Sequence, residues 1–386
     1  MNDKMNLVAK TFQGLESVLA KELENIGAQN VRIERRAVLF EGTTEIMYKA
    51  NLHCRTALRI LKPIAVFQAK DAEEIYNNVK KIAWEKIFDV KQSFLIEATV
   101  YSEVFTHSRF ATYKTKDAIV DYFQEKVGKR PSISVSNPDI FFNLHISHNT
   151  CTLSLDSSGG ALYKRGYRVA QTEAPINEVL AAGMILLSGW NGQCDFLDPM
   201  CGSGTIPIEA AMIALNIPPG VFRKNFAFEK WLDFDEELFD KLYNDDSGEK
   251  KFNHKIYASD ISSKAISVAD ANIKNAGFTK YISTQVIDFA NIPQPKEKTF
   301  IITNPPYGER IGGDIDSLYG MIGTTLKHKY ADTDAWIISS NKRGFDQIGL
   351  KPNDKIMLQN AEIDCQYRHY HLFPGKLKTY KSANKE

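Results

Sequence analysis

The stretch CDFLDPMCGSGTIPIEAAMIAL (194–215) constrains the fold more than any other part of the chain. A short apolar run ends in an acid, a glycine loop follows, and the next apolar run has helical spacing. Such a stretch is a strand feeding a helix through a tight turn. The alternation continues downstream as KIYASD, SSKAISVADANIKNAG, STQVID and TFIIT. Strands alternating with helices imply a parallel, doubly wound sheet. From Asn177, where NEVLAAGMILLSGW reads as a helix, an α/β layer structure is therefore expected. The preceding part differs. Residues 5–42 read strand, helix, strand, strand, with Gly27 placed to stop the helix, and residues 57–155 mix short strands with amphipathic helices. That is an α+β pattern. An insertion (216–255) separates the second helix of this pattern, TIPIEAAMIAL, from KIYASD, and its aromatic middle is expected to pack as a helix against the parallel sheet.

Composition narrows the class of protein. The five cysteines (Cys54, Cys151, Cys194, Cys201, Cys365) form no CxxC pair, which argues against a zinc ribbon or a disulfide framework and fits a reducing compartment. No basic start with an apolar h-region opens the chain, and no run approaches the ~18 to 20 apolar residues of a membrane span, so a soluble cytoplasmic protein is expected. No metal site is expected: His145 and His148 would face opposite sides of a strand, and His369 and His371 share a face without a nearby third ligand. Net charge is +1, but residues 1–170 hold 24 Lys and Arg against 19 Asp and Glu, a balance of +5, and the remainder is at −4. A basic partner surface, if nucleic acid binds, belongs to the N-terminal part.

The loop Asp198-Pro199-Met200-Cys201-Gly202-Ser203-Gly204-Thr205 is neither GxxxxGK[ST] nor a full GxGxxG, so a Walker phosphate loop is not supported. It does let backbone approach a ligand closely and aims helix N–H groups at it. Asp198 at the strand tip could serve a ligand's ammonium group. Asp260 closes KIYASD, the place from which a carboxylate reaches a ribose diol in nucleotide-binding sheets. Asp288 with Phe289 closes STQVID, where the acid could take an adenine amino proton while the ring flanks the base. Any one such acid is an ordinary turn or cap residue. Three in series ahead of a fourth motif are harder to attribute to turns.

That fourth motif is Thr303-Asn304-Pro305-Pro306-Tyr307-Gly308-Glu309-Arg310, after the apolar run Thr299-Phe300-Ile301-Ile302. Two prolines give the turn one shape and remove backbone donors beside its carbonyls. An exocyclic amine on a base is a poor nucleophile because its lone pair is delocalised into the ring. Two fixed acceptors on its N–H groups, the Asn304 side-chain oxygen and the Pro305 carbonyl, would help to develop that lone pair. Tyr307 offers a stacking face to a base turned out of its helix.

The order GxG, Asp260, Asp288, NPPY resembles the S-adenosylmethionine-dependent amino methyltransferases of the Rossmann-like class. With API…LAA (174–182), DPMCGSGT, the IPPG insertion and NPPYGER, the chain is similar to the THUMP-domain family that methylates guanine N2 in large-subunit (23S) ribosomal RNA, and the likeness covers essentially the whole chain. The family is often labelled an N6-adenine-specific DNA methylase because of NPPY. The resemblance implies a ferredoxin-like segment (1–44), a THUMP RNA-binding domain (45–156) and a Rossmann-like methyltransferase domain (165–386), without the second methyltransferase half fused on in some relatives. It implies S-adenosylmethionine as cofactor and ribosomal RNA or an assembling large subunit as partner. Asp198, Gly202 and Gly204 would hold the methionine end, with Thr172 and Pro175 closing over it; Asp260 would hold the ribose and Asp288 and Phe289 the adenine. Asn304, Pro305, Pro306 and Tyr307 would hold the target base.

DNA or RNA adenine N6 methylation is the rival, since both targets are exocyclic amines. About 80 residues follow NPPY, fewer than the target-recognition module of DNA enzymes with this motif order would need, and the extra mass lies N-terminally. There HSRFATYKTKD offers Arg109, Lys114 and Lys116 for phosphates and Tyr113 for stacking, or is an ordinary helix start. Pyrimidine C5 chemistry would need a nucleophilic Cys where Asn-Pro-Pro-Tyr stands. A catalytically dead scaffold would have no use for Asn304 and Asp260. Every cofactor motif lies beyond residue 160, so removal of residues 1–160 is expected to leave a domain that still binds cofactor.

Overall fold

The computed structural model describes residues 4–105, 108–306 and 314–373. The chain divides into two units, Met1–Thr11, Leu19–Lys164 and Arg223–Asp245 in one, Phe12–Val18, Arg165–Phe222 and Asp246–Glu386 in the other. Each carries a seven-stranded sheet.

The first sheet is built from β1 (Met5–Lys10), β2 (Gln29–Glu34), β3 (Ala37–Gly42), β4 (Arg59–Gln68), β5 (Phe94–Tyr101), β6 (Ile140–Ser147) and β7 (Thr150–Asp156), in the order β2-β3-β1-β4-β7-β6-β5. Its pairings are antiparallel except β5 with β6, which is parallel. Ile140, Phe142, Leu144 and Ile146 of β6 are at most 1% exposed while the residues between them are not, the period-two alternation that points one face of a strand into a core. β4 pairs with both β1 and β7, so the expected ferredoxin-like and THUMP segments share one continuous sheet. The helix Ser108–Val127 starts inside HSRFATYKTKD.

The insertion corrects the sequence-based expectation. Its aromatic middle joins the core of the first unit and not the parallel sheet: Phe226, Phe228, Trp231 and Phe239 all belong to that core. Tyr48 stacks on Phe228 at 4.4 Å, and its hydroxyl accepts from the Asp235 N–H at 3.0 Å. Lys230 pairs with Asp139 at 2.6 Å, and Lys62 with Asp233 at 3.2 Å. The apolar pattern of the insertion fixed which residues must be covered. It carried no information about which sheet covers them.

The second sheet has the order β10-β9-β8-β11-β12-β14-β13, from β8 (Asp195–Asp198), β9 (Ile256–Asp260), β10 (Ile282–Val286), β11 (Thr299–Thr303), β12 (Thr333–Ser339), β13 (Asp354–Asn360) and β14 (Ile363–Leu372). The first five in this order are parallel; β14 runs antiparallel to β12 and closes a hairpin with β13. Every residue of β8 and β11 is buried, as expected of central parallel strands covered on both faces. The strand order reverses between β8 and β11, and ligands in open α/β sheets bind outside the carboxyl ends at such a switch point. Two helices that pattern reading passed over, Ile315–Lys329 and Lys342–Gln347, carry glycines that blur their periodicity. At Gly323 a Cβ would lie 1.9 Å from the Ile348 carbonyl oxygen, so the glycine permits a backbone contact.

Candidate active site

Four adjacent strand ends assemble the sequence-predicted residues. Asp198 ends β8 and is 1% exposed. Its Oδ1 accepts from the Met200 N–H at 3.2 Å and from the Thr303 hydroxyl at 2.9 Å. Burial, reinforced by the charge of Asp260, pushes its carboxyl up to about 7 against the opposing effect of those two hydrogen bonds. No Lys, Arg or His forms an ion pair with it among the described residues. A buried acid held near its ionisation point without a cation is one that a ligand's ammonium group would complete.

The glycine loop turns over this acid. Gly202 (φ +53°) and Gly204 (φ +80°) adopt the left-handed conformation that favours glycine. At Gly202 a Cβ would meet only the Thr172 hydroxyl, at 3.9 Å, so the space above the loop is open and Thr172 borders it. At Gly204 it would lie 3.2 Å from the Ala269 Cβ, so that glycine serves helix packing. The Gly202 N–H donates to Asp260 Oδ2 at 3.0 Å and the Ser262 N–H to Oδ1 at 2.9 Å, which fixes the carboxylate at the end of β9. Each oxygen keeps a lone pair for a ligand hydroxyl.

Asp288 lies two residues past β10 and caps a short 3-10 turn, accepting from the Ala290 N–H at 2.8 Å. Phe289 is only 3% exposed and packs against Tyr330 at 5.6 Å, so its ring supports the turn from the core and presents no open face. Lys329 donates to the carbonyls of Ala290 (2.6 Å) and Ile292 (3.0 Å) and holds the same turn. Asn304 follows β11, and its Oδ1 is buried with no hydrogen-bond partner among the described residues. An orphaned buried acceptor is costly, about 1–3 kcal/mol, unless a ligand donor satisfies it. Pro305 is buried and Pro306 half-buried; Tyr307 lies outside the described residues.

Sequence reasoning passed over the residues that bind the upstream segment to this loop. Arg168 donates to Glu178 Oε1, the Ser203 hydroxyl and the Thr205 hydroxyl, each at 2.9 Å. Asn272, fully buried, accepts from the Val169 and Ala170 N–H groups (2.9 and 3.1 Å) and donates to the carbonyls of Ala170 (2.9 Å) and Ser203 (3.0 Å). That uses all four hydrogen-bond positions of its amide. Thr172 and the half-buried Pro175 lie on the span between these anchors. The legible signal was Asn272 itself, a polar residue on the buried stripe Ala265, Ala269, Asn272, Ile273 of its helix. Ile261, next to Asp260, is 71% exposed, an apolar side chain at the site's rim.

The expected RNA contacts lie in the first unit, on the helix Ser108–Val127. Arg109 and Tyr113 are exposed and one turn apart. Lys114 is paired with Glu73 at 2.9 Å and Lys116 with Asp117, so both are already engaged by acids. His369 and His371 share an acid: Asp334 Oδ1 accepts from both rings at 2.9 Å, and Asp354 bonds His369 at 3.0 Å. The His369 bond, ahead of the His371 bond, holds the Asp334 carboxyl down at about 2. Among the described residues no group of three or more such side chains is arranged to hold a metal ion.

Comparison with known proteins adds three matches along the chain. Residues 165–369 match the family described as RMKL-like, methyltransferase domain, residues 69–156 the THUMP domain, and residues 6–61 the RlmL ferredoxin-like domain. A Synechocystis protein named "Putative RNA methyltransferase slr0064" is 36% identical over 369 residues, 95% of this chain and 96% of that protein. The ribosomal RNA large subunit methyltransferase K/L of Psychromonas ingrahamii is 37% identical over 375 residues, 95% of this chain and 50% of its own length. The chain thus spans about half the length of the K/L relatives it matches. The solved structure of SMU.472, described as "a putative methyltransferase complexed with SAH", superposes with a TM-score of 0.87 at 31% identity, covering 97% of this chain and 100% of that one.

Proposed function

The chain belongs to the RMKL-like methyltransferase family, with ferredoxin-like and THUMP domains ahead of the methyltransferase domain, and on that premise we propose that it methylates the exocyclic N2 amine of a guanine in 23S ribosomal RNA, using S-adenosylmethionine. Bound S-adenosylmethionine supplies an electrophilic methyl group on a sulfonium. Asp198 meets the ammonium end, the loop lets backbone at Gly202 lie against the methionine portion while Gly204 seats the loop on the neighbouring helix, and Thr172 and Pro175 border it. Asp260 takes the ribose hydroxyls. Asp288 takes the adenine amine, with Ile261 beside the ring and Phe289 bracing the turn beneath.

The observation that carries the reading is the buried Asn304 Oδ1, which has no partner among the described residues. A base amine directed at Asn304 Oδ1 and the Pro305 carbonyl has both protons held by fixed acceptors, and its lone pair is left for the incoming methyl carbon. With S-adenosylmethionine bound, these two acceptors would hold the amine toward the methyl group that the cofactor supplies, and the proton released on transfer would pass to solvent. Because the acceptors are set before the base arrives, their stabilisation grows with charge on the nitrogen. Tyr307 stacks on the flipped base, worth about 1–3 kcal/mol. The first unit addresses the RNA, with Arg109 and Tyr113 as its most available contacts on the helix Ser108–Val127. The names of the relatives and the THUMP match support ribosomal RNA as partner.

The test is a split of binding from chemistry. Asn304→Ala should retain affinity for S-adenosylhomocysteine within about threefold and lose methyl transfer by at least a hundredfold. Transfer at the wild-type rate would remove Asn304 from the base pocket.

A further inference from the structure

β8 and β11 pair in parallel with Thr299 opposite Asp195, Phe300 opposite Phe196 and Ile301 opposite Leu197, so Asp198 and Thr303 end neighbouring strands. Thr303 is 1% exposed, and its hydroxyl donates to Asp198 Oδ1 at 2.9 Å. The next residue is Asn304, whose amide oxygen has no partner among the described residues. A hydroxyl has one proton to give, and this one goes across the strand pair to the acid of the glycine loop. We propose that Thr303 is a positioning residue: its hydroxyl holds the Asp198 carboxylate in the form that accepts an ammonium group and ties that acid to the strand end carrying the amine pocket.

The inference rests on the proposed cofactor site and specifies how it is kept competent. Among the described residues, the groups facing Asp198 are few. The Met200 N–H and the Thr303 hydroxyl favour its charge; Asp260, from β9, opposes it; the Cys201 thiol of the same loop is itself pushed well up by burial and by Asp198. With no cation in the set, the two donors carry the charge between them. Removing one makes the carboxylate harder to form just where an ammonium group must meet it. A hydroxyl that merely satisfied its own buried hydrogen bond would leave the protonation of Asp198 untouched when replaced.

The experiment measures S-adenosylhomocysteine affinity by calorimetry from pH 6 to 8.5, and urea unfolding of the ligand-free chain over the same range, for wild type, Thr303→Val and Thr303→Ser. Wild-type affinity should rise through about pH 7. Valine keeps the shape and removes the donor, so its midpoint should move up by about half to one pH unit, with affinity at pH 7 down about two- to sixfold. The ligand-free unfolding profile should move in the same direction, and serine should restore both. A valine variant with the wild-type midpoint overturns the proposal, as does weakening that is equal at every pH and not restored by serine. Wild-type affinity without pH dependence overturns it while leaving the cofactor reading intact; absence of binding to the wild type overturns both. If the valine variant does not fold, Thr303→Ala takes its place with the same outcomes.

Discussion

Asp198→Asn separates what the fold wants from what the site wants. The carboxyl group, ordinarily at 3.8, is held at about 7, chiefly by burial. An acid whose value is raised by folding binds its proton more tightly in the folded chain, so stability falls as pH rises between about 4 and 7, and the full penalty stands above 7. At 1.36 kcal/mol per pH unit, that window amounts to about 4 kcal/mol, against a typical net stability of about 5–15 kcal/mol. Both donors fall on Oδ1, so asparagine can keep both hydrogen bonds and lose only the charge. Urea unfolding of the ligand-free proteins at pH 5 and pH 8 should show the variant's advantage growing by about 2–3 kcal/mol between the two. Calorimetry at pH 8 should show at least a tenfold loss of S-adenosylhomocysteine affinity. A variant whose advantage is the same at both pH values would refute the burial argument, and one that binds as tightly as wild type would remove Asp198 from the cofactor site.

Asp260→Ala should weaken cofactor binding ten- to a hundredfold, about 1.5–3 kcal/mol for the lost charge-assisted hydrogen bonds; unchanged affinity in a folded variant excludes the ribose assignment. Removal of residues 1–160, which the sequence alone presents as harmless to cofactor binding, should instead give an aggregating protein. It strips the cover from Phe226, Phe228, Trp231 and Phe239, worth about 1.5–3 kcal/mol each. A second truncation that keeps residues 12–18, which belong to the second unit, on a short linker and replaces residues 223–245 by another should be soluble and bind S-adenosylhomocysteine; a monodisperse, fully stable product from the simple truncation would contradict this packing argument. Arg109→Ala should flatten the slope of log affinity against log salt on single-stranded RNA by about 0.7, and Lys114→Ala by less because Glu73 already holds that lysine; equal slopes for wild type and Arg109→Ala would exclude the phosphate contact.

Local punctuation made the strand ends legible. Asp198, Asp260, Asn304 and the glycine loop were visible because glycine, proline and helix caps mark where buried strands stop, and function in this architecture collects at those stops. Long-range polar contacts were not. Thr303 reads as one more β-branched strand residue until the neighbouring strand is known, and Arg168 and Asn272 gain meaning only when residues 37 and 69 positions away, Thr205 and Ser203, are brought beside them. Phe289 illustrates the converse. Its place after an acid suggested a plate for the adenine, yet its burial against Tyr330 makes it structural support. The insertion shows why amphipathic pattern and domain membership are separate questions: residues 223–245 lie between strands of the second sheet in sequence and belong to the first unit in space.

The central claim is tested most directly by mass spectrometry of ribosomal RNA nucleosides from cells lacking the protein, complemented with wild type or Asn304→Ala. The account predicts that one N2-methylguanosine is lost from large-subunit RNA, returns with wild type, and stays absent with the variant. An unchanged N2-methylguanosine content, or loss of N6-methyladenine in its place, would contradict it.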